Sequence, residues 1–190
     1  MNAATATNPQ TLLTAYPCTG VRLYAEPILL VHGWGIDSQI WQTLPQQLSQ
    51  FADVLTLDLP GFGQSPPLED YSQVGLISWM AEVLPERCYL LGLSLGGMLS
   101  CAFAAQYPQR ISGLITLSSN LSFVASNNYS QAMPTEQYQG FTASWQEDNQ
   151  DCLKRFCGLQ AQGDKQQRQL IRKLRTMTTD IDSSAAGALL

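Results

Sequence analysis

Cys88-Tyr-Leu-Leu-Gly-Leu-Ser-Leu-Gly-Gly97 decides how the rest of the chain is read. Residues 88–93 are an apolar run of strand length, and Leu95 to Gln106 continues at helical spacing until Pro108. A Gly-x-Ser-x-Gly at such a junction makes a tight strand-to-helix turn. The glycines let backbone segments approach closely, and Ser94 is pushed out where a substrate can reach it. The free N–H groups of the helix that opens at Leu95 converge on the same point and suit a developing negative charge. Ser94 is therefore the candidate nucleophile; the plainer alternative is a Gly/Ser-rich turn without chemistry.

Outward from that junction the pattern repeats. Pro27–Val31, Val54–Asp58 and Ile111–Leu117 are further apolar strand runs. Between them Ile40, Trp41, Leu44, Leu48 and Phe51 recur at helical spacing, as do Val74, Ile77, Met80, Ala81 and Leu84 before Pro85. Strands alternating with helices predict an α/β fold, a mostly parallel sheet flanked by helices over residues 21–120. After Ser118 no strong strand follows. Tyr138, Phe141, Trp145, Cys152, Phe156 and Leu159 form one helical stripe, and Leu170, Ile171, Leu174 and Met177 a second. Residues 121–182 therefore read as a helical lid. Residues 1–20 read as a loose leader, and 183–190 as an uninformative tail.

Composition narrows the function classes. The 190 residues carry 45% hydrophobic and 13% charged types and a net charge of -5, which fits one domain and disfavours a wholly basic nucleic-acid binder. Apolar runs fall short of the roughly 18 residues that span a bilayer, so no membrane association is expected. The N-terminus has no secretory pattern, and the five cysteines show neither paired nor metal-ligand spacing. Reduced thiols in a cytoplasm, with no metal and no cofactor, are the expectation.

Two other motifs fall at the same sheet edge as Ser94. His32-Gly-Trp34-Gly35 follows the first strong strand, and Asp58-Leu-Pro-Gly-Phe-Gly-Gln-Ser65 the second. In a parallel sheet both lie where α/β sites form. The backbone N–H groups of Trp34 and Leu95 would then make an oxyanion hole, and Asp58 would bond loop backbone. His32 reads as a brace for the oxyanion loop rather than as a general base.

HGWG, DLPGFGQS and GLSLGG, in this order and spacing, resemble the α/β-hydrolase fold. More narrowly they resemble the pimeloyl-[acyl-carrier protein] methyl ester esterases of biotin biosynthesis, the likeness running from about Ile28 to Met177. Leu153-Lys-Arg-Phe-Cys-Gly-Leu-Gln160 resembles that family's lid. The resemblance implies a serine carboxylesterase with Ser94 as nucleophile, and Trp34 and Leu95 as oxyanion and substrate-binding residues. It implies a lid wall of Phe156, Cys157, Gly158, Leu159 and Gln160, and no cofactor. It implies Arg155, Arg168 and Arg172 as contacts to an acyl carrier protein, with Asp151 where the family has a fourth arginine.

Charge placement points the same way independently. Seven of the ten basic residues lie between Lys154 and Arg175, whereas residues 1–153 hold three basic and twelve acidic residues. Lys165, Arg168, Arg172 and Arg175 recur at three, four and three, so they share one helix face. A positive face on an acidic chain suits an anionic partner such as an acidic carrier protein and its phosphopantetheine phosphate. A solvated helix surface is the alternative, and a nucleic acid is disfavoured because no aromatic platform accompanies the charge.

A serine hydrolase also needs a base and an orienting acid. The family carries both on two strand-helix units after the lid. The only histidine here is His32, and Asp180 and Asp182 precede any returning strand. The expectation is a sheet lacking its last two strand-helix units, an impaired triad, and a possible missing C-terminal segment. A non-catalytic split hydrolase that binds an acyl carrier, and a generalist small-ester hydrolase, are the alternative functions.

Overall fold

The computed structural model describes residues 12–178 and 180–190. In chain order it has β1 (Leu13–Tyr16), β2 (Ile28–Val31), α1 (Leu44–Leu48), β3 (Val54–Leu57), α2 (Gln73–Val83) and β4 (Cys88–Leu93). There follow α3 (Leu95–Gln106), β5 (Ile111–Leu117), α4 (Thr135–Glu147), α5 (Asn149–Gln160), α6 (Gln167–Thr176) and α7 (Ser183–Ala188). The strands form one sheet in the order β1-β3-β2-β4-β5. All neighbours are parallel except β1 with β3. The four strands expected from apolar runs are the four parallel ones.

Register places the chemistry. Val31 lies opposite Leu57 on one side and Gly92 on the other, and Leu93 lies opposite Leu117. The loops after β2, β3, β4 and β5 therefore leave from one edge, which is how a parallel sheet gathers residues distant in sequence. Beneath that edge Leu29, Val31, Leu57, Leu90, Met80 and Phe103 are buried together, with α2 and α3 supplying the helical side. The opposite face packs Leu30, Trp41 and Val54 against Leu44 and Leu48.

Four local expectations are corrected. The loose leader is structured where it is described: Leu13–Tyr16 pairs antiparallel with Val54–Leu57. Four residues are too few for a periodicity to register, but an open sheet edge satisfies their backbone groups. Residues 1–11 lie outside the described residues. The helix expected over Ile40 to Phe51 is a 3-10 turn at Ser38–Trp41 and the short α1, separated by Gln42 at φ 48. Pro45 has no N–H to bond back to residue 41, so an unbroken helix cannot form there. The single stripe from Tyr138 to Leu159 is two helices. Asp148 is extended between them, and its carboxylate accepts from the Asp151 N–H at 2.9 Å, starting α5 afresh. The tail is also ordered: Asp182 caps α7 through the Ala185 N–H at 2.8 Å.

Candidate active site

The turn at Ser94 is built from three glycines, each packed where a side chain would collide with a neighbour. A Cβ on Gly92 would meet the Gly96 carbonyl oxygen at 2.5 Å, and one on Gly96 would collide with the carbonyls of Val31 and His32. A Cβ on Gly97 would press on the Ser119 side chain. Between them Ser94 adopts φ 50 and ψ -115, a strained conformation for a residue with a side chain. Neighbours hold it there. The Ser94 N–H donates to the Leu117 carbonyl at 2.9 Å, and its carbonyl accepts from the Ser119 hydroxyl at 2.8 Å and the Met98 N–H at 3.0 Å. The Ser94 hydroxyl has no hydrogen-bond partner among the described residues, so it is free to meet a ligand at the N-terminus of α3.

The loop after β2 lies against this serine. A Cβ built on Gly33 would sit 3.3 Å from the Ser94 Cβ, and Gly35 takes φ 74 to let the loop turn. Trp34 is buried and locked in place. Its indole N–H donates to the Ala186 carbonyl at 2.8 Å, and Phe141, Trp145 and Phe156 meet its ring edge-to-face at 5.3, 5.2 and 5.0 Å.

His32 is wholly buried behind this loop. Its Nδ1 contacts the Gly33 carbonyl at 2.8 Å, and its Nε2 accepts from the Leu59 N–H at 2.8 Å. That pairing requires the neutral ring with its proton on Nδ1. Burial, the largest influence, lowers its pKa against smaller opposing effects of the Gly33 bond and the nearby Asp58. Both ring nitrogens are engaged with backbone, so the geometry is that of a brace. Asp58 accepts from the Ser38 N–H at 2.8 Å and the Gln64 N–H at 3.0 Å, tying the second loop to the first. Nearby Asp37 is buried, which raises its carboxyl pKa, and its carboxylate caps the 3-10 turn by accepting from the Gln39 N–H at 2.8 Å. No histidine or carboxylate bonds the Ser94 hydroxyl among the described residues. Asp182 is spent on capping α7, and the Asp180 carbonyl accepts from Gly63.

Two hollows meet at Ser94. The smaller, of about 130 Å³, is walled by Trp34, Leu95, Met98, Phe123 and Phe141, and closed by Phe156, Leu189 and Leu190. The larger, of about 280 Å³, lies between Gly33, Ile36, Leu93 and Ser118 and runs past Phe156 to Gln160. Of the five lid positions expected to form one wall, Phe156 and Gln160 reach these hollows. Cys157 instead packs into a core with Ile36, Leu174 and Met177, and burial pushes its thiol pKa up. Gly158 faces open space, and Leu159 points outward, 64% exposed. Consecutive residues of a helix turn about 100° apiece, so five in a row cannot share one face. Met98, Phe123, Phe141, Leu189 and Leu190 were not expected at the site. Met98 was accessible to reasoning, because the residue four after the serine lies above it on the helix.

The basic residues stay on the surface. Arg155 pairs with Asp151 one turn earlier on α5. Arg168, Arg172 and Arg175 are exposed on α6, and none has an ion pair among the described residues.

A strained serine at a strand-helix elbow, the loop after β2 packed beside it and a parallel sheet beneath define a hydrolase architecture. The family described as the alpha/beta hydrolase fold matches residues 26–175, and the chain belongs to it. It is 45% identical over 163 residues to the biotin biosynthesis bifunctional protein BioHC of Cellvibrio japonicus, covering 85% of this chain and 32% of that protein. It is 38% identical over 150 residues to the pimeloyl-[acyl-carrier protein] methyl ester esterase of Aeromonas salmonicida, covering 78% of this chain and 59% of that one. The chain thus spans about three-fifths of that esterase. Among solved structures, an esterase from Exiguobacterium antarcticum superposes with a TM-score of 0.77 at 19% identity, covering 93% of this chain and 66% of the other. A hydrolase from Oleispira antarctica gives 0.78 at 16% identity, covering 96% and 68%.

Proposed function

We propose that this chain is the nucleophile-bearing part of a cytoplasmic serine carboxylesterase that hydrolyses the methyl ester of pimeloyl-[acyl-carrier protein] in biotin biosynthesis. The observation that carries the reading is Ser94, held at φ 50 beside the Trp34 loop with its hydroxyl unpartnered at the junction of two hollows. The names of the relatives supply the substrate. Ser94 Oγ attacks the ester carbonyl, and the oxyanion collects at the backbone N–H groups of Trp34 and Leu95. Methanol leaves, and water frees the acid from the serine. No metal or organic cofactor takes part.

The serine proton needs an acceptor, and His32 is committed to Leu59 and Gly33. A base and its orienting acid are assigned to a segment outside these 190 residues, seated beyond β5. The outer edge of β5 carries no partner strand among the described residues, and the turn after it holds Ser94 through Leu117 and Ser119. A strand added there would end close to the serine. Without the base, turnover falls by about four orders of magnitude.

The lid of residues 121–182 presents Arg155, Arg168 and Arg172 to the carrier protein. That no base meets Ser94 among the described residues equally suits a second reading, in which the chain binds the acyl carrier and does not turn it over. Binding of pimeloyl-carrier protein methyl ester tests what both share. The expected result is an affinity that falls as salt rises and drops at least ten-fold in Arg168→Glu/Arg172→Glu. Salt-independent binding, unchanged by the double substitution, would refute the carrier assignment.

A further inference from the structure

Away from Ser94, a hollow of about 330 Å³ lies between α5 and α6. Gln150, Leu153 and Lys154 of α5, Arg175 of α6 and Thr178 just beyond it form the wall. None of them lines either hollow at Ser94. Leu153 is the buried floor, packed on its inner side where Gly35 turns. The charged groups above that floor are unspent. Lys154 and Arg175 are exposed, and neither makes an ion pair or a side-chain hydrogen bond among the described residues. The Gln150 amide is likewise unbonded. The Thr178 hydroxyl donates to the Arg175 carbonyl at 2.9 Å, so it supplies wall rather than a donor. No carboxylate lines the hollow among the described residues, and Asp151, next to Gln150 in sequence, is paired with Arg155.

We propose that this hollow is a binding site for a small phosphate monoester, separate from both the Ser94 site and the carrier-protein surface. Two cations around one space repel each other until an anion joins them, and a dianion matches them charge for charge. The guanidinium offers a planar fork to phosphate oxygens, the ammonium a point charge, and the Gln150 amide a neutral donor. Helix ends favour the same sign. Gln150 is in the first turn of α5, where free N–H groups carry partial positive charge, and Arg175 offsets the opposite end in the last turn of α6. Size selects an ester over a bare ion. At roughly 30 Å³ for each water-sized group, the hollow holds on the order of ten such groups, and a phosphate fills about half of it. An organic portion of similar size, lying over Leu153, completes the occupant. Arg155, Arg168 and Arg172 are not in the wall, so the site stands independently of the esterase and carrier readings.

The experiment titrates the full chain with glycerol 3-phosphate by calorimetry at pH 8 and about 0.15 M salt. There the monoester carries close to two charges, and exposed charges more than about 8 Å away are screened. One saturable site per chain is expected. Its affinity should exceed that for inorganic phosphate at least three-fold and that for dimethyl phosphate, a monoanion, at least ten-fold, and acetate should not compete. Lys154→Gln and Arg175→Gln should each weaken binding at least ten-fold, the loss of one charge-assisted bond. Lys154→Arg should keep it within three-fold. Lys173→Gln removes an equal charge from α6 outside the hollow and should leave it within two-fold. All three positions are exposed, so the core is untouched by these changes. No saturation by about 10 mM would overturn the proposal. So would equal affinity for inorganic phosphate or the diester, competition by acetate, indifference to both Lys154→Gln and Arg175→Gln, or a loss in Lys173→Gln as large as in Arg175→Gln.

Discussion

Ser94 and His32 are each defined by what surrounds them. The serine's positive φ is sustained by the bond its N–H donates to the Leu117 carbonyl and by the one its carbonyl accepts from Ser119, so the turn is held by tertiary contacts rather than by its own preference. The motif Gly92-Leu-Ser94-Leu-Gly96 made this position legible, because only glycine fits where Gly96 touches the β2 exit. His32 was legible as a brace but not as a titration switch, since burial cannot be read from a dipeptide. Its folded pKa lies below the ordinary 6.5. The unfolded chain therefore binds more protons below that pH. Stability from the neutral ring is fully present above about 6.5 and is lost as pH falls towards the folded value, at up to about 1.4 kcal/mol per pH unit. Denaturant melts from pH 8 to 5 are expected to show this limb in the parent and a flatter one in His32→Gln. Identical limbs would mean that the histidine is not held neutral.

Elements owe their ends to residues that pattern reading does not weigh. Arg110 is the clearest. Its guanidinium donates to the carbonyls of Ala81 at 2.9 Å, Leu84 at 2.8 Å, Pro85 at 2.9 Å and Glu86 at 3.2 Å, closing the C-terminus of α2. It also lies over the rings of Phe103 and Tyr107, joining α2 to α3. A planar fork is needed for these contacts, so Arg110→Lys should cost about 2 kcal/mol in chemical denaturation. A change below about 0.5 kcal/mol would show that solvent already satisfies those carbonyls. The four parallel strands were legible because each is a short apolar run between breakers. Asp148 splits the lid stripe by side-chain capping, and β1 exists by pairing with β3, so neither follows from periodicity alone. The walls of the two hollows beside Ser94 were legible only in part. Phe156 is marked by the family resemblance, whereas Phe141 shows in the sequence only as part of a helical stripe; in the structure it packs on Trp34 and lines the smaller hollow.

The whole molecule is polarised in charge and open on one side. The body is acidic and α6 is basic, a charge separation that favours approach of an anion from the α6 side. On the other flank β5 exposes Leu114, Ile115 (57%) and Leu117, and Leu121 follows at 76%. An unpaired apolar edge recruits further strands, from another segment or from another copy. Sedimentation of the 190-residue chain should show association that grows with concentration, and Ile115→Lys should suppress it without unfolding. Equal sedimentation of the two proteins would show that the edge is inert.

The central claim is that Ser94 is a nucleophile in an esterase site. It is tested most directly by treating the folded chain with an activated alkyl phosphonate and measuring intact mass. The account predicts a single adduct, mapped to Ser94 and abolished by Ser94→Ala. A folded chain that takes no adduct, or whose adduct survives Ser94→Ala, would contradict it.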